Sequence, residues 1–150
     1  MKKNNFFLKK NILIAGGTGL VGQQLVKQLI GLKANIYIAS KDNKKLVNKK
    51  IKKFYNTDLT ILKNCVKVTK NMDIVFNLLG ITGSPKINNE NPASFMMGNV
   101  NLSLPLLEAS RLNKVKQYLL TSTYGVYAPS KIMIENDVWK TFPSEHDKYA

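Results

Sequence analysis

Residues 11–22 read NILIAGGTGLVG, and this stretch decides the fold. Its first five residues form a continuous apolar run, which is typical of a strand buried on both faces. Glycines at positions 16, 19 and 22 follow and open a predicted helix over residues 20–30. Three residues at fourfold spacing are predicted to share its apolar face: Val21, Leu25 and Leu29. A strand, a glycine turn and a helix in this order predict one βα unit of a parallel sheet.

Short apolar runs and helical stretches alternate along the rest of the chain. Further strands are predicted at 35–39, 53–55, 73–79 and 117–122, and further helices at 60–70 and 93–112. Pro105 should kink the last helix or mark a late start. Loop or irregular structure is predicted for 80–92 and 128–148, and a polar helix or loop for 41–53. The alternation predicts one α/β domain with a doubly wound parallel sheet.

Composition excludes several classes of protein. A chain of 150 residues with 44% hydrophobic content is long enough for one well-cored domain. No apolar run approaches the roughly 18–20 residues that span a bilayer, and the apolar part of the first ten residues is too short for a secretory signal. Cys65 has no partner for an internal disulfide, so we predict a core thiol and a reducing, cytoplasmic setting. His146 is the only histidine, and we predict no metal site.

The charge of the chain is unevenly distributed. The net charge is +14, and residues 1–75 carry sixteen lysines against three aspartates. Nearly all of the excess is lysine, with Arg111 the only arginine, whereas proteins that read base edges rely on arginine. A lysine-rich solvated surface is therefore the preferred interpretation, and a nucleic-acid partner is not predicted.

The glycine turn carries the first functional signal. A turn of this kind lets a pyrophosphate approach the backbone, and the helix that follows stabilises the anion with its N-terminus. Because a strand precedes the glycines and a helix follows them, the turn predicts a dinucleotide site. The residues predicted to contact the cofactor here are Gly16, Thr18, Gly19, Leu20, Val21 and Gly22.

The end of the second predicted strand bears on the choice of cofactor. An acidic residue there would bind the ribose 2′-hydroxyl of NAD, and a cation would accept the 2′-phosphate of NADP. Ser40 lies eighteen residues after Gly22 and is followed by Lys41. These two residues favour NADP, with NAD as the second choice, although Asp42 could reach the same place.

The spacing Gly-x-x-Gly-x-x-Gly resembles that of the extended short-chain dehydrogenase/reductase family, the NAD-dependent epimerases and dehydratases. Further stretches support the resemblance in order along residues 11–150: Asp58-Leu59, Asn77-Leu78-Leu79-Gly80, Asn99-Val100-Asn101, Leu106-Leu107-Glu108-Ala109 and the segment from Tyr118 to Tyr127. The resemblance implies a Rossmann-type sheet, incomplete at its C-terminal side. It also implies that the cofactor is bordered by Asp58, Leu59, Leu78, Leu79, Gly80 and Asn99.

The resemblance also implies two catalytic residues. Thr123, with Ser122 as the alternative, takes the place of the hydroxyl that binds the substrate oxygen, and Tyr149 takes that of the general acid/base. The family's lysine, four residues after the tyrosine, would fall at position 153, beyond the chain. Residues 80–84 and 91–95 look most like the GDP-L-fucose synthase branch, but Gly125 stands where that branch has a cysteine used in epimerisation.

Two functional hypotheses follow. The first is an NAD(P)-dependent oxidoreductase or epimerase that transfers a hydride to or from a nucleotide sugar. For this hypothesis we expect the chain to be an N-terminal cofactor-binding part, inactive alone, whose C-terminal substrate lobe is absent, and the family suggests a homodimer. The second is a non-catalytic dinucleotide-binding module that senses redox state or binds a protein or RNA, with the lysines of residues 41–53 as its anion-binding face.

Overall fold

A computed structural model describes residues 5–42, 50–81, 90–127, 129–139 and 142. The chain divides into two compact units. The first unit comprises residues 1–79 and 101–120, and the second comprises residues 80–100 and 121–150.

The first unit contains a parallel sheet of five strands. In chain order they are β1 (Asn11–Ala15), β2 (Asn35–Ser40), β3 (Lys53–Asn56), β4 (Ile74–Asn77) and β5 (Gln117–Leu120). Their order in the sheet is β3-β2-β1-β4-β5, and all four pairings are parallel. The chain therefore leaves β1 toward β2 on one side and reaches β4 on the other, which is the strand-order reversal of a doubly wound α/β fold. The predicted fold class is confirmed.

Three α-helices accompany the strands in the described part of the chain. They are α1 (Leu20–Gly31), α2 (Leu62–Thr69) and α3 (Pro92–Leu112). Each of these strands and helices lies where the sequence predicts one, with ends that differ from the prediction by at most two residues. Residues 43–49 of the polar helix or loop predicted for 41–53 lie outside the described residues. The late start suggested by Pro105 is wrong, because α3 continues on both sides of that residue. Short 3₁₀ turns lie in the second unit at Tyr124–Val126 and Glu135–Asp137.

The core lies on both faces of the sheet. Along β1, Ile12 and Ile14 belong to one cluster and Leu13 and Ala15 to the other, and all four side chains are fully buried. The first cluster includes residues of α1, and the second includes residues of α2 and α3. This two-sided burial explains why β1 is an unbroken apolar run rather than an alternating one.

The buried face of α1 differs from the predicted one. Val21 is 64% exposed, so its assignment to the apolar face is wrong. The residues that α1 buries are Gly22, Val26 and Leu29, and Leu25 is half-buried. The spacing of four and then three residues is still helical, but it starts one residue later because Gly22 packs against the preceding turn.

Cys65 is the core thiol that the sequence predicts. Its side chain is fully buried on α2, and its Sγ donates a hydrogen bond to the carbonyl oxygen of Leu59 at 3.0 Å. Burial raises the pKa of the thiol to about 11, so it stays protonated at neutral pH.

A buried polar contact joins the end of α2 to the end of α3. Thr69 is fully buried, and its hydroxyl donates to the carbonyl oxygen of Cys65 at 2.8 Å. The same hydroxyl oxygen accepts a hydrogen bond from Nδ2 of Asn113 at 2.8 Å, and this amide also donates to the carbonyl oxygen of Val66. The three contacts satisfy polar groups that would otherwise be costly to bury.

We expect Thr69→Val to lower the free energy of unfolding by about 1–3 kcal/mol, because valine keeps the shape but leaves the Asn113 amide short of one acceptor. Asn113→Ala should cost a similar amount. Urea unfolding of both single variants and the double variant tests the coupling. If the contact matters as described, the double variant loses less than the sum of the singles, and strict additivity would contradict it.

Candidate cofactor-binding site

The glycine turn brings the start of α1 against the end of β1. Gly16 has a φ of +79°, a conformation that favours glycine, and its N–H donates to the carbonyl oxygen of Ala39 at 3.0 Å. A Cβ at Gly22 would lie 2.3 Å from the carbonyl oxygen of Gly16 and 2.7 Å from Cα of Gly17. Both positions therefore require glycine, one for its backbone conformation and the other for space.

The N-terminus of α1 has no capping side chain. Gly19 is the N-cap residue, no side chain hydrogen-bonds there, and the first turn holds no acidic residue. Leu20 and Val21 at the start of the helix are exposed. Because the first N–H groups of a helix lack intrahelical acceptors and carry a partial positive charge, this end can bind an anion such as a pyrophosphate.

Three polar side chains meet where β2 ends. The hydroxyls of Thr18 and Ser40 both donate to Oδ2 of Asp42, the second at 3.0 Å, and the two hydroxyl oxygens are 3.0 Å apart. The N–H of Asp42 donates back to Oγ of Ser40 at 3.1 Å. Hydrogen bonds from Thr18 and then Ser40 hold the pKa of Asp42 below its ordinary value, so its carboxylate is ionised at neutral pH.

Lys41 turns to a different partner. Its Nζ lies 2.7 Å from Oδ2 of Asp58, and Oδ1 of Asp58 accepts hydrogen bonds from the N–H and hydroxyl of Thr60 at 2.9 and 2.7 Å. Contact with Lys41, followed by the bonds from Thr60, lowers the pKa of Asp58 to about 2. The sequence predicts that Lys41 and Asp58 both border the cofactor. The structure brings these two residues together, and they form an ion pair with each other.

Asn56 is a residue of this region that the sequence reasoning missed. It ends β3 opposite Ser40, and its Nδ2 donates to the carbonyl oxygen of Asp42 at 3.0 Å. The bond holds the segment that carries Lys41 and Asp42. Leu59, predicted beside the adenine, has a buried side chain that belongs to the core under α2. Its contact with a cofactor stays a prediction.

The end of β4 lies beside the glycine turn. The N–H of Leu78 donates to the carbonyl oxygen of Ala15 at 3.0 Å, and the carbonyl oxygen of Leu78 would lie 3.1 Å from a Cβ at Gly16. Buried Asn77 accepts a bond from the N–H of Leu79 at 3.1 Å, and its Nδ2 donates to the hydroxyl of Tyr118 at 3.0 Å. Asn77 thus fixes the backbone of the two leucines that were predicted to border the cofactor.

The second unit holds the remaining predicted residues. Oδ1 of Asn99 accepts a hydrogen bond from the N–H of Ile81 at 2.8 Å, and its Nδ2 donates to the carbonyl oxygen of Phe95 at 3.1 Å. Gly80 precedes Ile81, and a Cβ there would be in ordinary contact with Asn99. Asn99 therefore anchors the segment after β4 to the first turns of α3.

Thr123 is exposed, and its Oγ1 accepts a hydrogen bond from the N–H of Gly125 at 3.2 Å. Ser122 beside it is also exposed. Tyr149, the predicted acid/base, lies outside the described residues. The proton-transfer roles of Thr123 and Tyr149 therefore stay predictions.

The part of the chain that the structure describes contains no group of three or more metal-binding side chains. The described helices include none that is long and apolar enough to cross a bilayer.

The geometry of the first unit fits a dinucleotide. An uncapped helix end is available for the pyrophosphate, the glycines leave the backbone accessible, and an ionised carboxylate lies where β2 ends. The helix end and the glycines are what the sequence pattern predicts for this cofactor class, and the carboxylate belongs to Asp42, the acidic alternative to Ser40 and Lys41.

Comparison with known proteins agrees with this geometry. GDP-mannose 3,5-epimerase 1 from Oryza sativa subsp. indica is 30% identical over 146 residues, which are 91% of this chain and 38% of the relative. The UDP-glucose 4-epimerase of Thermotoga maritima, solved with UDP-glucose, aligns with a TM-score of 0.73 at 24% identity, over 92% of this chain and 46% of that one. The UDP-glucose 4-epimerase of Brucella ovis in complex with NAD gives 0.74 at 22% identity, over 85% and 41%.

The family can be stated from a broader match. Residues 12–150, nearly the whole chain, match the model of the NAD dependent epimerase/dehydratase family. The match begins in β1 and includes the glycine turn, the end of β2 and the segment after β5. The chain belongs to the NAD dependent epimerase/dehydratase family.

Proposed function

We propose that this chain forms the cofactor-binding part of an NAD(P)-dependent enzyme that acts on a nucleotide sugar. The glycine turn carries the proposal, because it places an uncapped helix N-terminus beside residues that carry no side chains of their own. Family membership supports the cofactor class, since the family is NAD dependent.

The names of the relatives support the substrate class. They act on GDP-mannose or UDP-glucose, and both substrates are nucleotide sugars. The chain spans less than half the length of each of these relatives, so substrate, reaction and partners of the whole protein are proposals. Gly125 stands where GDP-L-fucose synthases have a cysteine used in epimerisation, so the proposal does not include that branch's epimerisation step.

The proposed mechanism assigns two proton-handling groups. When bound, the nicotinamide cofactor would supply the hydride transfer at the sugar carbon. The hydroxyl of Thr123 would donate a hydrogen bond to the sugar oxygen, and the phenol of Tyr149 would give that oxygen a proton or take one from it. The exposure of Thr123 supports this role, because a ligand can reach an exposed residue.

The preferred form of the cofactor follows from charges at the end of β2. The prediction of NADP depends on Lys41 being available for a 2′-phosphate, but Lys41 forms an ion pair with Asp58. The ionised carboxylate of Asp42 would repel a 2′-phosphate, whereas it can accept a hydrogen bond from a ribose hydroxyl. We therefore propose NAD as the preferred cofactor, with NADP as the alternative.

We expect Asp42→Ala to weaken NAD binding by roughly 10–100-fold, the loss of one hydrogen bond to a charged group, and to leave NADP binding unchanged or improved. Isothermal titration with each cofactor measures this difference. Lys41→Ala is the matched variant, since it should change NADP affinity little when Lys41 is paired with Asp58. If the unaltered protein prefers NADP and Lys41→Ala loses NADP binding, the proposal of NAD as the preferred cofactor is contradicted.

We expect Thr123→Ala to lower kcat for a nucleotide sugar by roughly 100-fold or more without weakening NAD binding, and Tyr149→Phe to do the same. Turnover of the whole protein with a panel of GDP- and UDP-sugars is the measurement. Thr123→Ser should retain most activity, and Ser122→Ala serves as the control at the neighbouring hydroxyl. Full activity in Thr123→Ala together with a loss in Ser122→Ala would transfer the role to Ser122.

A different result would favour the second hypothesis for this protein. Tight NAD binding with no turnover of any nucleotide sugar would indicate a non-catalytic module, and the Thr123 variants would then have no effect on any measured property of the site.

A further inference from the structure

The amino-terminal ends of the five strands meet at one edge of the sheet, opposite the glycine turn. Backbone bonds join the segments that enter neighbouring strands: Lys9 N–H to Lys33 O at 3.0 Å, Lys52 N–H to Ile36 O at 2.8 Å, Asp73 N–H to Asn11 O at 2.8 Å and Lys116 N–H to Asp73 O at 3.1 Å. These segments therefore lie side by side in the order of the strands.

Each of these entering segments carries at least one exposed lysine. In the order of the sheet from β3 to β5, they are Lys52, Lys33, Lys9, Lys70, Lys114 and Lys116, here called the amino-edge lysine row. Because neighbouring strands are about 4.8 Å apart, the row extends for about 20 Å. Exposed lysines on adjacent strand entries can follow a polyanion along its length.

The row is not a sample of a uniformly basic surface. Thirteen lysines of the first unit are described, and nine of them lie on segments that enter strands, counting Lys10, Lys50 and Lys53 beside the row. Among the described residues of this edge, Asp73 is the only acid, and it pairs with Lys116 at 3.6 Å. On the described segments that leave the strands at the opposite edge and precede the helices, the lysine is Lys41, which is paired with an aspartate.

Helix ends account for only part of the row. Lys33, Lys70 and Lys114 follow the C-termini of α1, α2 and α3, where a cation is favoured by the helix dipole. Lys9 and Lys52 follow no described helix. Lys9, Lys33 and Lys114 also adopt φ values of +55° to +58°, a region where glycine or asparagine is usual, so the backbone alone does not favour lysine there.

An exposed aromatic ring adjoins the row. Phe6 is 51% exposed, and Nζ of Lys10 lies 5.0 Å from the centre of its ring. The segment is held in place because Nδ2 of Asn5 donates to the carbonyl oxygen of Leu32 at 2.8 Å. A ring beside a line of cations offers a base a surface for stacking while the phosphates are neutralised.

We propose that the amino-edge lysine row and Phe6 bind single-stranded nucleic acid through its phosphate backbone, without reading its sequence. Lysine suits this task, because it neutralises phosphates as a point charge and lacks the planar fork with which arginine recognises bases. The row takes only Lys52 from residues 41–53, and it lies at the edge opposite the cofactor site, so both sites can be occupied together.

The test compares two triple variants of the whole protein with the same change in net charge. The edge triple is Lys9→Gln, Lys33→Gln and Lys52→Gln, and the control triple replaces with glutamine the exposed Lys27 of α1, Lys63 of α2 and Lys41. Fluorescence anisotropy with a labelled 15-nucleotide oligouridine is recorded at several salt concentrations. We expect the edge triple to bind roughly 100-fold more weakly at about 0.1 M salt, with a slope of log K against log salt shallower by about 2.

The control triple should bind within about threefold of the unaltered protein, because exposed charges beyond about 10 Å are screened at this salt concentration. Equal losses in both triples would overturn the proposal in favour of net charge alone. Unaltered protein that fails to bind the oligonucleotide, or that binds duplex RNA equally well, would also overturn it. A third result would also overturn the proposal: the unaltered protein binds phosphatidylserine vesicles but not the oligonucleotide, and the edge triple loses vesicle binding. This result would indicate a membrane partner.

Two further variants keep the test decisive if the edge triple unfolds. Arginine at the same three positions should preserve binding and the salt slope. Phe6→Ala should weaken binding by roughly tenfold through lost stacking while leaving the salt slope unchanged. A Phe6→Ala variant with unchanged affinity would remove the stacking surface from the proposal and contradict it. Circular dichroism of each variant verifies that the fold is retained.

Discussion

The close approach of Gly22 to the carbonyl oxygen of Gly16 is the constraint on which the rest of the site depends. A Cβ would have to fit within 2.3 Å of that oxygen, so only glycine allows α1 to begin directly against the end of β1. This contact sets the rotation of the helix, and Val26 and Leu29 consequently face the sheet while Val21 faces outward. It also leaves the free N–H groups of the helix at the carboxyl edge of the sheet, where a pyrophosphate can reach them.

The glycine turn also determines how the charged side chains are arranged at the carboxyl edge of the sheet. Thr18 lies within the turn and reaches the end of β2, where its hydroxyl and that of Ser40 bind the carboxylate of Asp42. The ammonium group of Lys41, the neighbour of Asp42 in the chain, pairs with Asp58 instead. Asp42 therefore remains ionised without a neutralising partner among the described side chains. Its negative charge favours a ribose hydroxyl, which can donate a hydrogen bond, over a 2′-phosphate, which it repels.

The sequence predicted every strand and helix described here because the two-sided burial of β1 and the helical spacing are local signals. The buried face of α1 was misassigned because two helical spacings are possible, one starting at Val21 and the other at Gly22. The glycine adds no hydrophobic side chain that would favour the second spacing. The role of Lys41 was equally beyond the local pattern, because its partner Asp58 follows the neighbouring strand β3. Thr69 and Asn113 lie 44 residues apart, and only packing brings them together.

The same parallel topology divides the charge between the two edges of the sheet. Helices in such a fold direct their C-termini to the amino edge, and each helix end carries a partial charge of about −0.5. Three helix ends would therefore offset about 1.5 positive charges, whereas nine lysines and Asp73 leave a formal charge of +8 among the described residues of that edge. Helix dipoles cannot account for a surplus of this size, and composition alone would not concentrate it at the edge farthest from the glycine turn.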